Sequence, residues 1–217
     1  KSVLKDSTKL DDSLFAENQA YQQDGLPIYF NIQVEAEVLG CKLAWSEETP
    51  PSVINHPFLH DKVISGKLPD KQSGRLPLIL DAIRAVKPQL GETTALFGLI
   101  TGPLTIAYHL RGNPLFFDLV ENPDYLKKLL AFTSRVTKRM AELYTDAGMD
   151  VIGVIEPVAS QNSAQTFNRH LLAHYQALFT SIHSLGAYSM LHICGDATHI
   201  IEPMCLTGAN ILSLDEK

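Results

Sequence analysis

Apolar residues along the chain follow two spacings, one typical of buried strands and one typical of amphipathic helices. Short and nearly continuous apolar runs predict strands, which are expected at 26–33, 95–100, 151–155, 188–194 and 211–214. Between these runs apolar residues recur every three or four positions and predict helices, at 14–23, 76–87, 104–111, 123–147, 167–185 and 198–206. The segment 46–74 is rich in proline and glycine and predicts a long irregular excursion on one face of the fold.

The alternation of strands and helices predicts an α/β fold with a parallel sheet that helices cover on both faces. Right-handed crossovers leave a closed barrel or an open doubly wound sheet, and no glycine-rich phosphate fingerprint follows a strand to favour a nucleotide-binding fold. We interpret residues 1–217 as one (β/α)8 TIM-barrel domain that is incomplete at both ends. A complete barrel takes about 250 residues, so we expect one strand or so before Lys1 and two after Lys217.

An incomplete barrel would expose an apolar sheet edge. We therefore expect that the natural chain is longer or that a second copy covers this edge, as in a homodimer. Hydrophobic residues make up 45% of the chain and charged residues 19%, which is enough apolar material for a core and too little charge for disorder.

Net charge and cysteine content narrow the functional class. The formal charge of -6 argues against binding to nucleic acid or to an anionic membrane surface. No apolar run reaches the roughly 18 residues that would span a bilayer, and the polar start at Lys1 shows no signal peptide. Three cysteines cannot all pair within the chain, which favours reduced thiols in a cytoplasmic protein.

The most informative local pattern is His192-Ile193-Cys194-Gly195-Asp196, at the carboxyl end of a predicted strand. Residues two apart on a strand face the same side, so His192 and Cys194 are expected to project together into the mouth of a barrel. Imidazole and thiolate are both good zinc ligands, and Gly195 allows a sharp turn after them. The alternative is a buried histidine and a structural cysteine that happen to be neighbours, since two ligands do not make a metal site.

Three blocks occur in an order that resembles one known family. They are Val34-Glu35-Ala36-Glu37-Val38-Leu39-Gly40-Cys41, then Gly102-Pro103-Leu104-Thr105-Ile106-Ala107 ending in Leu110-Arg111-Gly112, and then the 192–196 turn. Together they resemble the uroporphyrinogen decarboxylase superfamily, from about residue 24 onward. Within it the chain is most similar to the methylcobamide:coenzyme M methyltransferases and related corrinoid-dependent methyltransferases.

The resemblance implies a β/α barrel with a zinc site, and His192 and Cys194 match the family's His-x-Cys ligand pair. A further cysteine ligand is implied on a later strand, beyond Lys217, and we do not assign Cys205 as its substitute. The implied reaction moves a methyl group from a methylated corrinoid, such as methylcobalamin on a corrinoid protein, to a small thiol such as coenzyme M. The alternatives are a tetrapyrrole decarboxylase and a truncated, non-catalytic family member. True decarboxylases lack this cysteine.

Two carboxylates end strands and are candidate catalytic residues. Glu156 is expected to face the barrel mouth, as an exchangeable zinc ligand or as a hydrogen-bonding neighbour of the bound thiol. Asp215 is expected to orient His192 from outside the ligand set. Asp196 is interpreted as the N-cap of the next helix.

Other polar residues are expected to have structural rather than catalytic roles. His170 and His174 are spaced four apart on one helix, but they are expected to lie outside the barrel and lack the glutamate of zinc-protease helices. His109 and Arg111, which follow Gly102-Pro103, have the chemistry to contact an anionic substrate, but a structural role is favoured. Glu35 and Glu37, in the first family block, are likewise expected to have structural roles.

Overall fold

The computed structural model describes residues 3–47, 49–60 and 63–215. Its strands are β1 Gly25–Pro27, β2 Leu43–Ala44, β3 Ser52–Val53, β4 Ala95–Thr101, β5 Val151–Ile155, β6 Tyr188–Ile193 and β7 Ile211–Leu214. Its helices are α1 Ser7–Tyr21, α2 Val34–Val38, α3 Leu76–Leu90, α4 Pro103–Arg111, α5 Pro114–Glu121, α6 Pro123–Ala147, α7 Ala164–Thr166, α8 Leu172–Ser184 and α9 Ile201–Cys205. Short 3-10 helices cover Val3–Lys5, Pro157–Gln161 and Thr198–Ile200, and a π-helix covers Phe167–Leu171.

Five strands form one parallel sheet in the order β1-β4-β5-β6-β7, which is the order of the five predicted strands along the chain. Each strand pairs in parallel with the next, and helices make the crossovers between them. The sheet is curled as part of a β/α barrel, as the strand and helix alternation predicted. Strands β2 and β3 form a separate antiparallel pair at the edge of the irregular excursion.

The carboxyl ends of β6 and β7 position the candidate chemistry. In β6 burial alternates, with Leu191 and Ile193 fully buried and His192 only partly so. Direct pairing of His192 with Ser213 brings the ends of the two strands side by side. The two-residue period of a strand therefore separates a face packed against helices from a face that carries the polar groups.

Two predictions near the amino terminus were wrong in their limits. The first helix begins at Ser7 rather than residue 14, because the Asp6 side chain accepts a hydrogen bond from the Lys9 backbone N–H and caps it earlier. The first strand ends at Pro27 rather than residue 33, since the chain turns there toward α2 after only three residues have paired with β4.

The end of α3 and the N-cap of α6 also differ from the predictions. Pro88 does not end α3, which continues to Leu90 and closes with a hydrogen bond from the Gly91 N–H to the Lys87 carbonyl. Pro123 does begin α6, but the Asn122 side chain does not cap it and instead donates to Asp118. Helix α5 was not predicted from the sequence.

The other predicted elements are found with small shifts. Strand β5 and β7 have the predicted bounds, and α6 ends before Gly148 as expected. The helix predicted over 167–185 is the π-helix followed by α8, and the short α7 precedes it. The helix predicted over 198–206 is a 3-10 turn followed by α9. The excursion 46–74 is irregular wherever it is described, apart from β3, and residues 48, 61 and 62 lie outside the described part.

An apolar edge is exposed at β7, as expected for an incomplete barrel. Ile211, Leu212 and Leu214 are each between 37% and 42% exposed, whereas residues of the same kind in β5 are buried. Among the described residues, no helix combines the length and apolar character needed to cross a membrane.

Candidate metal centre

His192 and Cys194 meet at the end of β6. The His192 Nε2 atom lies 3.0 Å from the Cys194 Sγ atom, and both residues are partly exposed. Strand alternation carries the two side chains to one side, and Gly195, with φ of +80°, turns the chain immediately afterwards. The pair that the sequence predicted as metal ligands is thus brought together at the carboxyl end of the sheet.

Asp215 joins this pair from the end of the neighbouring strand. One of its oxygens is 3.9 Å from His192 Nε2, and the other accepts a hydrogen bond of 2.6 Å from the Gly195 backbone N–H. One ligand-type atom from each of His192, Cys194 and Asp215 lies within 4.8 Å of the other two. Asp215 therefore faces the same ring nitrogen as the thiol, on the ligand side of the imidazole.

The opposite ring nitrogen has a different partner. His192 Nδ1 lies 2.9 Å from the hydroxyl oxygen of Ser213, the residue directly paired with it on β7. Sequence reasoning missed Ser213 and assigned the orienting position to Asp215. The two-residue period indicates only that Ser213 and Asp215, at the end of β7, face the same side. The register between β6 and β7 is what places Ser213 opposite His192.

The donor set suits zinc. Tetrahedral zinc with bonds of roughly 2.0–2.3 Å to nitrogen, oxygen and sulfur places neighbouring ligand atoms about 3.3–3.6 Å apart. The separations of 3.0 Å from His192 Nε2 to Cys194 Sγ and 3.9 Å from His192 Nε2 to Asp215 lie on either side of that range. All three ligand atoms lie within 4.8 Å of one another. Burial, and then the negative charge of Asp215, raise the pKa of the Cys194 thiol. A cation between these groups would oppose both effects.

Glu156 lies in a different environment, fully buried beside the start of α4. Its carboxylate accepts hydrogen bonds from the backbone N–H groups of Leu104 and Thr105, from the Thr105 hydroxyl and from the Tyr175 hydroxyl. Burial raises the pKa of Glu156, while these donors lower it. The residue joins the end of β5 to α4 and α8, and its two oxygens are already fully engaged.

The glutamates of the first family block also have local partners. Glu35 is buried and accepts hydrogen bonds from the backbone N–H and hydroxyl of Thr101, at the end of β4. Glu37 forms an ion pair with Arg75, at 2.6 Å. Both contacts hold α2 against neighbouring elements, as the structural interpretation predicted.

The residues after the Gly-Pro block likewise serve the fold. Arg111 donates to the Asp118 carboxylate at 2.7 Å and to the Phe58 carbonyl at 2.8 Å, which ties α4 to α5 and to the excursion. Burial, helped by nearby His56, lowers the pKa of His109 to about 4. Both residues are thus engaged within the fold, in keeping with the structural role that the sequence favoured.

The remaining histidine and cysteine candidates lie apart from the cluster. His174 on α8 contacts the Ser134 hydroxyl of α6 at 3.0 Å, and His170 lies in the π-helix beside a surface cavity of about 200 Å³. Cys205 is exposed on α9. Asp196 accepts a hydrogen bond from the Thr198 N–H, two residues on. It is not the N-cap that the sequence predicted, because Ala197 occupies that position in the next short helix.

A curled parallel sheet with a histidine, a cysteine and an aspartate at its carboxyl end defines a barrel-type enzyme scaffold with a candidate metal centre. The uroporphyrinogen decarboxylase (URO-D) family model matches residues 14–217. The chain belongs to this family, as the three sequence blocks predicted.

The chain is similar in sequence to methyltransferases and to a decarboxylase of this family. The chain is 28% identical over 201 residues to "Methylcobamide:CoM methyltransferase MtbA" of Methanosarcina mazei, covering 89% of this chain and 58% of that protein. It is 28% identical to "Methylcobamide:CoM methyltransferase MtaA" of Methanosarcina barkeri (91% and 60% covered) and 23% identical to "Uroporphyrinogen decarboxylase" of Nostoc punctiforme (91% and 58%). These relatives are enzymes.

A solved structure confirms the fold. The chain superposes on a methyltransferase from Methanosarcina mazei with a TM-score of 0.89 and 24% identity, covering 97% of this chain and 63% of the other. The chain thus spans about three fifths of the length of the relatives that it matches.

Proposed function

We propose that the chain carries the metal-binding part of a zinc-dependent methyltransferase. The enzyme would move a methyl group from a methylated corrinoid to a small thiol such as coenzyme M. The observation that carries this proposal is the cluster of His192, Cys194 and Asp215. The two relatives named as methylcobamide:CoM methyltransferases support the choice of reaction.

His192, Cys194 and Asp215 would hold the zinc ion through one nitrogen, one sulfur and one oxygen atom. When bound, zinc lowers the pKa of a coordinated thiol so that it is a thiolate at neutral pH. Imidazole, thiolate and carboxylate are the ligand types that zinc takes in proteins. The further cysteine implied beyond Lys217 remains a prediction.

The cluster of His192, Cys194 and Asp215 is accessible from solvent, and neighbouring backbone groups hold it in place. The side chains of His192 and Asp215 are 19% and 47% exposed, so a small thiol reaches them from solvent. The Gly195 N–H fixes one oxygen of Asp215, and pairing between β6 and β7 fixes the distance between the two strand ends. Holding reacting groups at a set distance is a large part of catalysis in group transfer.

Glu156, predicted as a catalytic residue, is proposed instead to support the barrel mouth. The hydrogen bonds of its carboxylate all come from donors of α4 and α8, and these contacts keep those helices at the ends of β4 and β5. Its role would be to keep the sheet edge rigid, and it would not exchange protons with a substrate.

The corrinoid would arrive on a partner protein and dock over the carboxyl ends of the strands. We also propose a cytoplasmic location, since Cys41, Cys194 and Cys205 are all unpaired. A second copy of the chain remains a proposed cover for the exposed β7 edge.

Thiol-dependent demethylation of methylcobalamin by the whole protein tests this function. We expect the wild type to consume methylcobalamin with at least one small thiol, and the Cys194→Ala variant to lose most of this activity. Cys205→Ala removes an exposed cysteine outside the cluster and should react as the wild type does.

Two outcomes would contradict the proposal. The first is a zinc-loaded wild type that consumes methylcobalamin with none of the small thiols, and the second is a Cys194→Ala variant as active as the wild type. Consumption of a tetrapyrrole carboxylate by the same preparations would favour the decarboxylase alternative, to which the chain is also related.

A further inference from the structure

Ser213 occupies a defined position relative to the candidate metal centre. It lies on β7 directly opposite His192 of β6, and its hydroxyl oxygen is 2.9 Å from His192 Nδ1. The imidazole is therefore contacted at both nitrogens, by a hydroxyl at Nδ1 and by the Cys194 sulfur at Nε2.

A neutral imidazole carries one proton, and the nitrogen that lacks it is the one that binds metal. Nε2 faces both Cys194 and Asp215, so it is the nitrogen presented to a metal in this cluster. The proton then belongs on Nδ1, where the Ser213 oxygen is placed to accept it.

We propose that Ser213 is a positioning residue that holds His192 in the Nδ1–H tautomer and fixes the orientation of its ring for metal binding. This inference rests on the proposed zinc site. Metal-ligating histidines commonly donate their other N–H to a carboxylate, a carbonyl or water, and loss of such a partner typically weakens metal binding about 10- to 100-fold.

The strand geometry makes Ser213 suited to this role. Its hydroxyl is one carbon from a backbone that is hydrogen-bonded to β6, so few rotamers are available and the oxygen is held at a fixed height on the sheet. Asp215 has a longer side chain, is 47% exposed and contacts the other face of the site, so it does not replace the hydroxyl at Nδ1.

Zinc affinity, measured on the whole protein by competition with a chromophoric chelator, tests the role. Ser213→Ala should bind zinc 10- to 100-fold more weakly than the wild type. Ser213→Thr retains the hydroxyl on a residue that strands favour and should restore wild-type affinity. Ser134→Ala is the matched control, because it removes the same kind of contact, hydroxyl to Nδ1, from His174 on the outer helices, and it should leave zinc affinity unchanged.

Nitrogen NMR of the metal-free protein gives a second readout that does not depend on zinc. His192 should be a single Nδ1–H tautomer in the wild type and in Ser213→Thr, and a mixture of tautomers in Ser213→Ala. Equal zinc affinity and an unchanged tautomer in Ser213→Ala would overturn the inference. A wild type that binds no zinc would instead overturn the proposed function, while the NMR comparison would still decide the tautomer.

Discussion

The backbone N–H of Gly195 donates a 2.6 Å hydrogen bond to the carboxylate of Asp215. This contact joins the turn that follows Cys194 to the end of the next strand, twenty residues later in the chain. The free oxygen of the same carboxylate is the one that faces His192. Asp215 therefore combines a structural contact and a candidate ligand atom in one side chain.

Substitutions at Asp215 should separate these two roles. Asp215→Asn keeps an oxygen for the Gly195 N–H and should change the free energy of unfolding by no more than about 1 kcal/mol, while weakening zinc binding at least about tenfold. Asp215→Ala should lose both the contact and the ligand. Denaturant unfolding and chelator competition measure the two effects, and an Asp215→Asn variant with wild-type zinc affinity would remove Asp215 from the ligand set.

Glu156→Gln should destabilise the fold by about 2–4 kcal/mol, because the amide has one acceptor oxygen where the carboxylate has two. The amide nitrogen would face the Leu104 N–H or the Thr105 donors and leave a buried donor unpaired. Urea unfolding checks the value. Glu92→Gln, at an exposed position, is the control and should change stability by less than about 0.5 kcal/mol. A Glu156→Gln variant as stable as the wild type would show that the carboxylate is not needed at this junction.

Gly102→Ala should be destabilising because a methyl group there would overlap the Glu156 carboxylate. Overpacking of this kind costs about 1–3 kcal/mol. The cost should fall in a Glu156→Ala background, where the carboxylate is absent, so the two substitutions should be non-additive. Additive effects on the midpoint of urea unfolding would contradict the contact.

His109 should make stability depend on pH between its ordinary pKa of 6.5 and its folded pKa of about 4. Because burial lowers the folded pKa, the unfolded chain binds the proton more readily, so stability is lost as the pH falls through this window. The full loss for this group is about 3 kcal/mol. His109→Gln should flatten the dependence measured by urea unfolding at several pH values, and His60→Gln, at an exposed position, should not. Equal slopes in all three proteins would contradict the assignment.

The sequence predicts the elements whose signals are local and strong. Strand β5 is a continuous apolar run between glycine and proline turns, and α6 has a long apolar stripe with Pro123 at its start. The helix boundaries that were predicted incorrectly depend on contacts that a sequence does not display. Asp6 extends α1 through a side-chain cap, and packing keeps α3 helical past Pro88.

Only part of the candidate site was predictable from the sequence. His192 and Cys194 follow from the two-residue period of a strand that ends at a glycine. Ser213 required the register between β6 and β7, which only the structure supplies. The contacts of Glu156 were not predictable either, because a carboxylate after a strand looks the same in sequence whether it binds a ligand or accepts hydrogen bonds from a neighbouring helix.

Zinc content of the whole protein, measured by elemental analysis, shows whether His192 and Cys194 hold a metal ion. The measurement compares the wild type with a His192→Ala, Cys194→Ala double variant and with a His170→Ala, Cys205→Ala control that removes the same residue types away from the cluster. We expect about one zinc per chain in the wild type and in the control, and loss of zinc in the double variant. A wild type without zinc, or a double variant that retains it, would contradict the proposed metal centre.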